Sequence, residues 1–131
     1  MTSFEQARDL IYMADQDYLV LEKLEHDKSI CDETWGFHAQ QSAEKIFKSL
    51  LAVRNIDFPY THHLGQLIDQ LEEVGFELPD VTEDFYGLTA FAGGLRYGPF
   101  LEKNSLPPLD RADIRQKLAQ FRDFVRRQAG L

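Results

Sequence analysis

His38, Gln41, Lys45 and Lys48 recur at intervals of three, four and three residues, a spacing that puts them on one face of a helix. An imidazole, an amide and two ammonium groups on a common strip are the donors that an anion such as a phosphate requires. Glu44 lies beside Gln40 on a neighbouring strip, and its i,i+4 relation to Lys48 allows it to neutralise that lysine instead. The strip therefore has two readings. One is the solvated side of an amphipathic helix; the other is a half-buried cationic edge whose lysines need a carboxylate, a subunit or a phosphate. Phe37, Phe47 and Leu51 crowd the helix from its other flank and favour partial burial.

His62 and His63 fall at the expected start of another helix, where the helix dipole disfavours imidazolium and leaves neutral rings able to accept hydrogen bonds. Without neighbouring Cys or an HxxxH spacing they make no metal site, and neither a metal nor a cofactor is expected. Arg96-Tyr97 follows the glycine pair Gly93-Gly94 and precedes Gly98-Pro99, so its guanidinium is placed at a helix end rather than on a uniform surface. Lys45, Lys48, His62, Arg96 and Tyr97 together form the expected border of a phosphate- or nucleotide-sized cleft, with His38, Gln41 and Glu44 as its supporting polar face. Cys31 has no acid or base partner assignable from sequence and reads as a packed small side chain. No catalytic residue is assigned.

Helices must position these groups. Phe4, Ala7, Ile11, Ala14, Tyr18 and Leu21 follow 3-4-3-4-3 spacing, one stripe of a first helix that Thr2 or Ser3 can cap. A polar stretch from Glu25 to Ser29 breaks it. The second helix is expected from near Asp32 to about Asn55, with Trp35, Ala39, Ala43, Ile46, Leu50 and Val53 as its stripe. Phe47 and Leu51 widen that stripe, which makes this helix the expected centre of the fold. Thr61 can cap a short third helix marked by Leu64, Leu67, Ile68, Leu71 and Val74, with Gly75 as its stop. Asp80 with Glu83 resembles a capping box for a fourth helix carrying Val81, Phe85, Leu88, Ala92 and Leu95, which Gly98-Pro99 would end. Asp110 can cap the last helix, whose stripe is Ile114, Leu118, Phe121 and Val125. No useful length alternates with period two. The expected fold is all-α: an antiparallel up-and-down bundle of four long helices plus a short one, residues 1–131 forming one domain.

The chain has 131 residues, 44% of them hydrophobic, enough for a core that needs no disulfide or metal staple. Fourteen basic against 22 acidic residues give a net charge of −8, which opposes a generic nucleic-acid coating role. The charge is segregated: residues 110–131 carry net +3 and the remainder −11. Two readings stand for that last helix, a solvated surface with i,i+4 pairs or a basic strip facing an acidic partner or a phosphate. A single cysteine, no apolar run of membrane-spanning length and no signal-peptide pattern after Met1 lead to the expectation of a soluble cytoplasmic protein without membrane contact.

The run from Phe37 to Leu51, with Gln40-Gln41-Ser42-Ala43-Glu44-Lys45 at its heart, resembles the signature helix of the HEPN family, the higher eukaryote and prokaryote nucleotide-binding domains. Thr61-His62-His63-Leu64 is similar to that family's TH-x-L segment, and Arg96-Tyr97 with the nearby Pro99 to its later RY-P element, in the same order. The resemblance implies a helical bundle, commonly a homodimer, with nucleotide or RNA as ligand and a separately encoded minimal nucleotidyltransferase as partner in a toxin–antitoxin or stress-response pair. It also implies, for many members, a metal-independent ribonuclease built on Arg, four to six intervening residues, then His. That motif is absent. The window after Arg96 holds Leu101, Glu102 and Lys103, that after Arg54 holds Pro59, Tyr60 and Thr61, and no other Arg has a His in range. The expected role is therefore a non-catalytic module that binds a nucleotide, a partner protein or both. A divergent ribonuclease and a purely structural helical dimer are the alternatives.

Overall fold

The computed structural model describes residues 2–92 and 106–131. Arg96, Tyr97, both glycine-containing breaks around them and the 101–103 window lie outside the described residues. Helix α1 (Ser3–Leu24) begins at a complete capping box: Thr2 Oγ1 accepts from Glu5 N, and the Glu5 carboxylate accepts from Thr2 N. Helix α2 (Asp32–Val53) returns antiparallel along it. The register is visible in three bonds: Trp35 Nε1 donates to Leu21 O (3.2 Å), Ser42 Oγ to Ala14 O (3.1 Å) and Ser3 Oγ to Asn55 Oδ1 (2.8 Å). The residue numbers in these pairs fall on one helix as they rise on the other.

Helix α3 (Leu64–Glu73) is short and ends where Gly75 takes φ +90°, the left-handed conformation expected of it. Its N-cap residue is His63 without a side-chain cap bond, not Thr61; Thr61 Oγ1 accepts from His63 N instead, and Leu64 N donates to Thr89 Oγ1. Helix α4 (Arg111–Ala129) starts at Asp110, whose carboxylate accepts from Asp113 N. Among the described residues there is no strand, so the bundle is all-helical as the periodicity implies.

The fourth element differs in kind. Asp80–Phe91 is a 3-10 helix, its N-cap residue is Pro79, and no Asp80–Glu83 capping box forms. Its buried residues are Thr82, Phe85, Leu88 and Phe91, spaced by three, whereas the expected α stripe included Val81 and Ala92, which are only half-buried. Three residues per turn is the repeat of a 3-10 helix, and it stacks these four side chains on one edge. Gly36 of α2 lets that edge come close: a Cβ there would stand 2.4 Å from Cδ1 of Phe91.

One continuous core joins the five elements. The α2 face of Trp35, Ala39, Ala43, Ile46, Phe47, Leu50 and Leu51 is buried, so α2 is the centre of the bundle. Phe47, Phe85 and Phe121 meet there, with ring centroids 4.6–6.4 Å apart. Two expected core residues sit outside: Phe4, in the first turn of α1, is 47% exposed, and Val74, past the end of α3, is likewise 47% exposed. Cys31 is also exposed, as the N-cap residue of α2, rather than packed.

The basic residues of α4 mostly cross to other elements. Arg111 holds the α1–α2 connection, donating to the carbonyls of Leu24, Glu25, Asp27 and Ile30 and to Asp32 Oδ1. Arg115 pairs with Glu25 and bonds Tyr18 Oη, while Arg122 and Arg126 both pair with Asp15. Only Lys117 makes an i,i+4 pair, with Asp113, and it bonds Asp84 as well. The positive strip is thus the cement between α4 and the acidic body.

Candidate functional site

The polar residues of α2 are not a solvated face. Gln40 and Glu44 are 0% and 4% exposed, and Lys45 and Lys48 are half-buried. Buried carboxylates are found with partners. Glu44 has three: its Oε1 accepts from Gln40 Nε2 (3.1 Å) and bonds His62 Nδ1 (2.8 Å), and its Oε2 accepts from Lys48 Nζ (2.9 Å). Gln40 also donates to His62 O (2.8 Å) and accepts from Gln41 Nε2 (3.0 Å). The segment before α3 is thereby pinned to α2 at both the main chain and the side chain of His62. With Glu44 ionised, Nδ1 of His62 carries the proton, and Nε2 is left as the free ring nitrogen on a side chain 57% exposed.

A second cluster adjoins the first. Asp17 of α1 accepts from Lys45 Nζ (2.5 Å) and bonds His38 Nδ1 (3.0 Å). Each lysine of the strip therefore has a carboxylate, one from its own helix and one from α1. An ammonium group carries three donors, so a single carboxylate leaves the others to solvent or to a ligand.

Lys45 and Lys48 open onto a groove of about 460 Å³ between α1 and the segment leading to α3, which Met13, Phe58, Pro59 and Tyr60 also line. Lys48 Nζ lies 5.6 Å from the Phe58 ring centroid and 6.0 Å from that of Tyr60, both within cation–π range. Tyr60 is fully exposed. This size is in the range of small-molecule sites, and an aromatic wall beside ammonium groups is what a heterocycle joined to an anion would meet.

The structure thus brings together Lys45, Lys48 and, through Glu44, His62, with Gln41 and His38 at the edges of the two clusters. Arg96 and Tyr97 lie outside the described residues. Sequence reasoning missed Asp17, Gln40, Phe58 and Tyr60. Asp17 shares no periodic relation with α2, but Tyr60 stands two residues before His62, close enough to a singled-out motif to have been considered. Among the described residues, no group of three or more His, Cys, Asp or Glu side chains is arranged to hold a metal ion.

The HEPN domain profile matches residues 7–128, nearly the whole chain. This chain belongs to the HEPN domain family. No curated protein and no solved structure shows significant similarity to it. The match runs from the second turn of α1 into the last turn of α4, so both lysine clusters lie within the HEPN domain. Among the described residues, no helix of this HEPN domain is long and apolar enough to cross a membrane.

Proposed function

We propose that this HEPN domain is a non-catalytic module, residues 1–131 acting as one unit, that binds a nucleotide in the Lys45–Lys48 groove and works with a minimal nucleotidyltransferase encoded separately. The observation that carries the reading is the groove itself: two half-buried lysines beside Phe58 and Tyr60 offer charge for a phosphate and an aromatic face for a base. The absence of the Arg-x4-6-His motif supports the non-catalytic part. In the cell the module would act in a toxin–antitoxin or stress-response pair in the cytoplasm, and as a homodimer. Tyr12 and Leu19 of α1, seven residues apart on one helix face, are exposed large side chains that a two-fold partner would cover.

Isothermal titration with adenosine monophosphate tests the groove. Saturable binding weakened at least about tenfold by Lys48→Ala and by Tyr60→Ala supports the proposal; no binding, or binding indifferent to both, overturns it. Sedimentation equilibrium at micromolar concentration tests the homodimer, and a 15.2 kDa species is the contrary result. Co-purification with a nucleotidyltransferase of the same genome tests the pair.

One observation favours a divergent ribonuclease as the second reading. His62 is oriented through Nδ1 by a buried carboxylate and presents Nε2 outward, the arrangement of an acid–base imidazole beside cations. Cleavage of RNA in EDTA, abolished by His62→Ala, would establish it. The expected outcome is no cleavage by either protein.

A further inference from the structure

The outward face of α1 carries Phe4, Arg8, Tyr12, Asp15 and Leu19, spaced four, four, three and four residues apart and therefore aligned along one side of the helix. Phe4, Tyr12 and Leu19 are 47%, 62% and 42% exposed, and among the described residues no other helix exposes more than one large apolar side chain. Arg8 is exposed and makes no ion pair or hydrogen bond among the described residues. Beside the stripe, between α1 and the end of α4, lies a mostly apolar recess of about 380 Å³ walled by Phe4, Ile11, Tyr12 and Leu131.

We propose, resting on the homodimer reading, that this stripe is where two copies of the chain meet, α1 lying antiparallel against α1 of the second copy across a two-fold axis at Tyr12. The order of the stripe selects a second copy over a different partner. From its start it is apolar, basic, aromatic, acidic and apolar, so a reversed copy is its own complement. Reversal brings Phe4 level with Leu19, Arg8 with Asp15, and Tyr12 with itself. Side chains on a helix lean toward its N-terminus, so Leu19 of the second copy leans from Phe4 toward Tyr12 and enters the recess. The net charge of −8 sets two copies against each other over most of the surface. Next to this stripe stand Arg122 and Arg126 of the positive last helix, both on Asp15, and they lower that repulsion. A helix of 22 residues is roughly 33 Å long. A contact of that length, flanked by α4 of each copy, reaches about 800 Å² per copy, the size of a stable pair.

Sedimentation equilibrium at micromolar concentration compares the unaltered chain with the double variant Tyr12→Glu, Leu19→Glu. The unaltered chain should dimerise, and the dissociation constant should rise at least about a hundredfold in the variant. Both side chains are exposed, so circular dichroism should stay unchanged. Oxidation of Tyr12→Cys in a Cys31→Ser background locates the face independently and decides the matter even where the double variant fails to fold; Cys31 is replaced because it is exposed. A residue on a two-fold axis stands beside its own copy, within the roughly 7 Å between Cα atoms that a disulfide spans. Tyr12→Cys should therefore link two chains, and Tyr86→Cys, on the 3-10 helix, should not. A 15.2 kDa species for the unaltered chain overturns the homodimer reading and this face with it. A dimer that survives the double variant, or in which Tyr12→Cys links no better than Tyr86→Cys, overturns this face alone and leaves the homodimer standing.

Discussion

Glu44 shows what one residue does at this site. Its carboxylate joins α2 to the segment before α3 and neutralises Lys48, at 4% exposure. Truncating it leaves a half-buried ammonium and a buried amide without their acceptor, and breaking a buried pair of this kind costs about 3 kcal/mol or more. Glu44→Ala should therefore lower urea stability by about 3 kcal/mol; a loss below about 1 kcal/mol would show that water replaces the carboxylate. Half of this arrangement was legible in the sequence. The Glu44–Lys48 pair follows from i,i+4 spacing, but the bond to His62 crosses 18 residues and a turn at Arg54–Asn55, which no local period encodes. The same holds for Asp17, which reaches Lys45 only because α1 and α2 share a register. Tyr86 offers a pH signature of its surroundings. Burial and three neighbouring carboxylates favour the neutral phenol in the folded state, so its folded pKa lies above the unfolded value of about 10. The stability it contributes is complete below about pH 10 and is lost as pH rises through the folded value. A tyrosinate absorbance titration of the native chain minus that of Tyr86→Phe should reveal one phenol ionising later than an ordinary tyrosine.

At the scale of elements, the α-helices were legible because their apolar residues repeat at 3.6 and their starts carry Thr2 and Asp110. The 3-10 helix was not read as one, although Thr82, Phe85, Leu88 and Phe91 repeat at three. The competing stripe through Val81, Phe85, Leu88 and Ala92 fits an α-helix equally well, and packing against α2 decides between them. Gly36 is the counterpart of that decision. Alanine would normally improve a helix by about 1 kcal/mol over glycine, but here its methyl carbon would enter the Phe91 ring at 2.4 Å. Phe91 closes the buried edge, so it has little room to retreat. Gly36→Ala should destabilise the protein by about 1–3 kcal/mol in chemical denaturation. A gain in stability would mean that the end of the 3-10 helix is free to move away.

For the whole molecule, the division of charge seen in the sequence is resolved internally: the positive last helix lies against the negative body, antiparallel to α1. That outcome needed the tertiary arrangement, since sequence alone favoured a solvated helix and kept a ligand strip as the lesser reading. Arg111 is where this contact begins, and its bonds to the α1–α2 connection span 79–87 residues. Contacts this distant close late, because the loop between them must be ordered first, whereas α1 and α2 can pair across a connection of a few residues. The grip of Arg111 then belongs to the native side of the folding barrier. Arg111→Ala should speed unfolding while leaving the refolding rate nearly unchanged, as stopped-flow fluorescence of the adjacent Trp35 would record. Slowed refolding would instead place α4 in the nucleus. With a late-closing clasp, the helix that completes the core is also the first to let go, and the lifetime of the folded chain is set at a residue far from the Lys45–Lys48 groove.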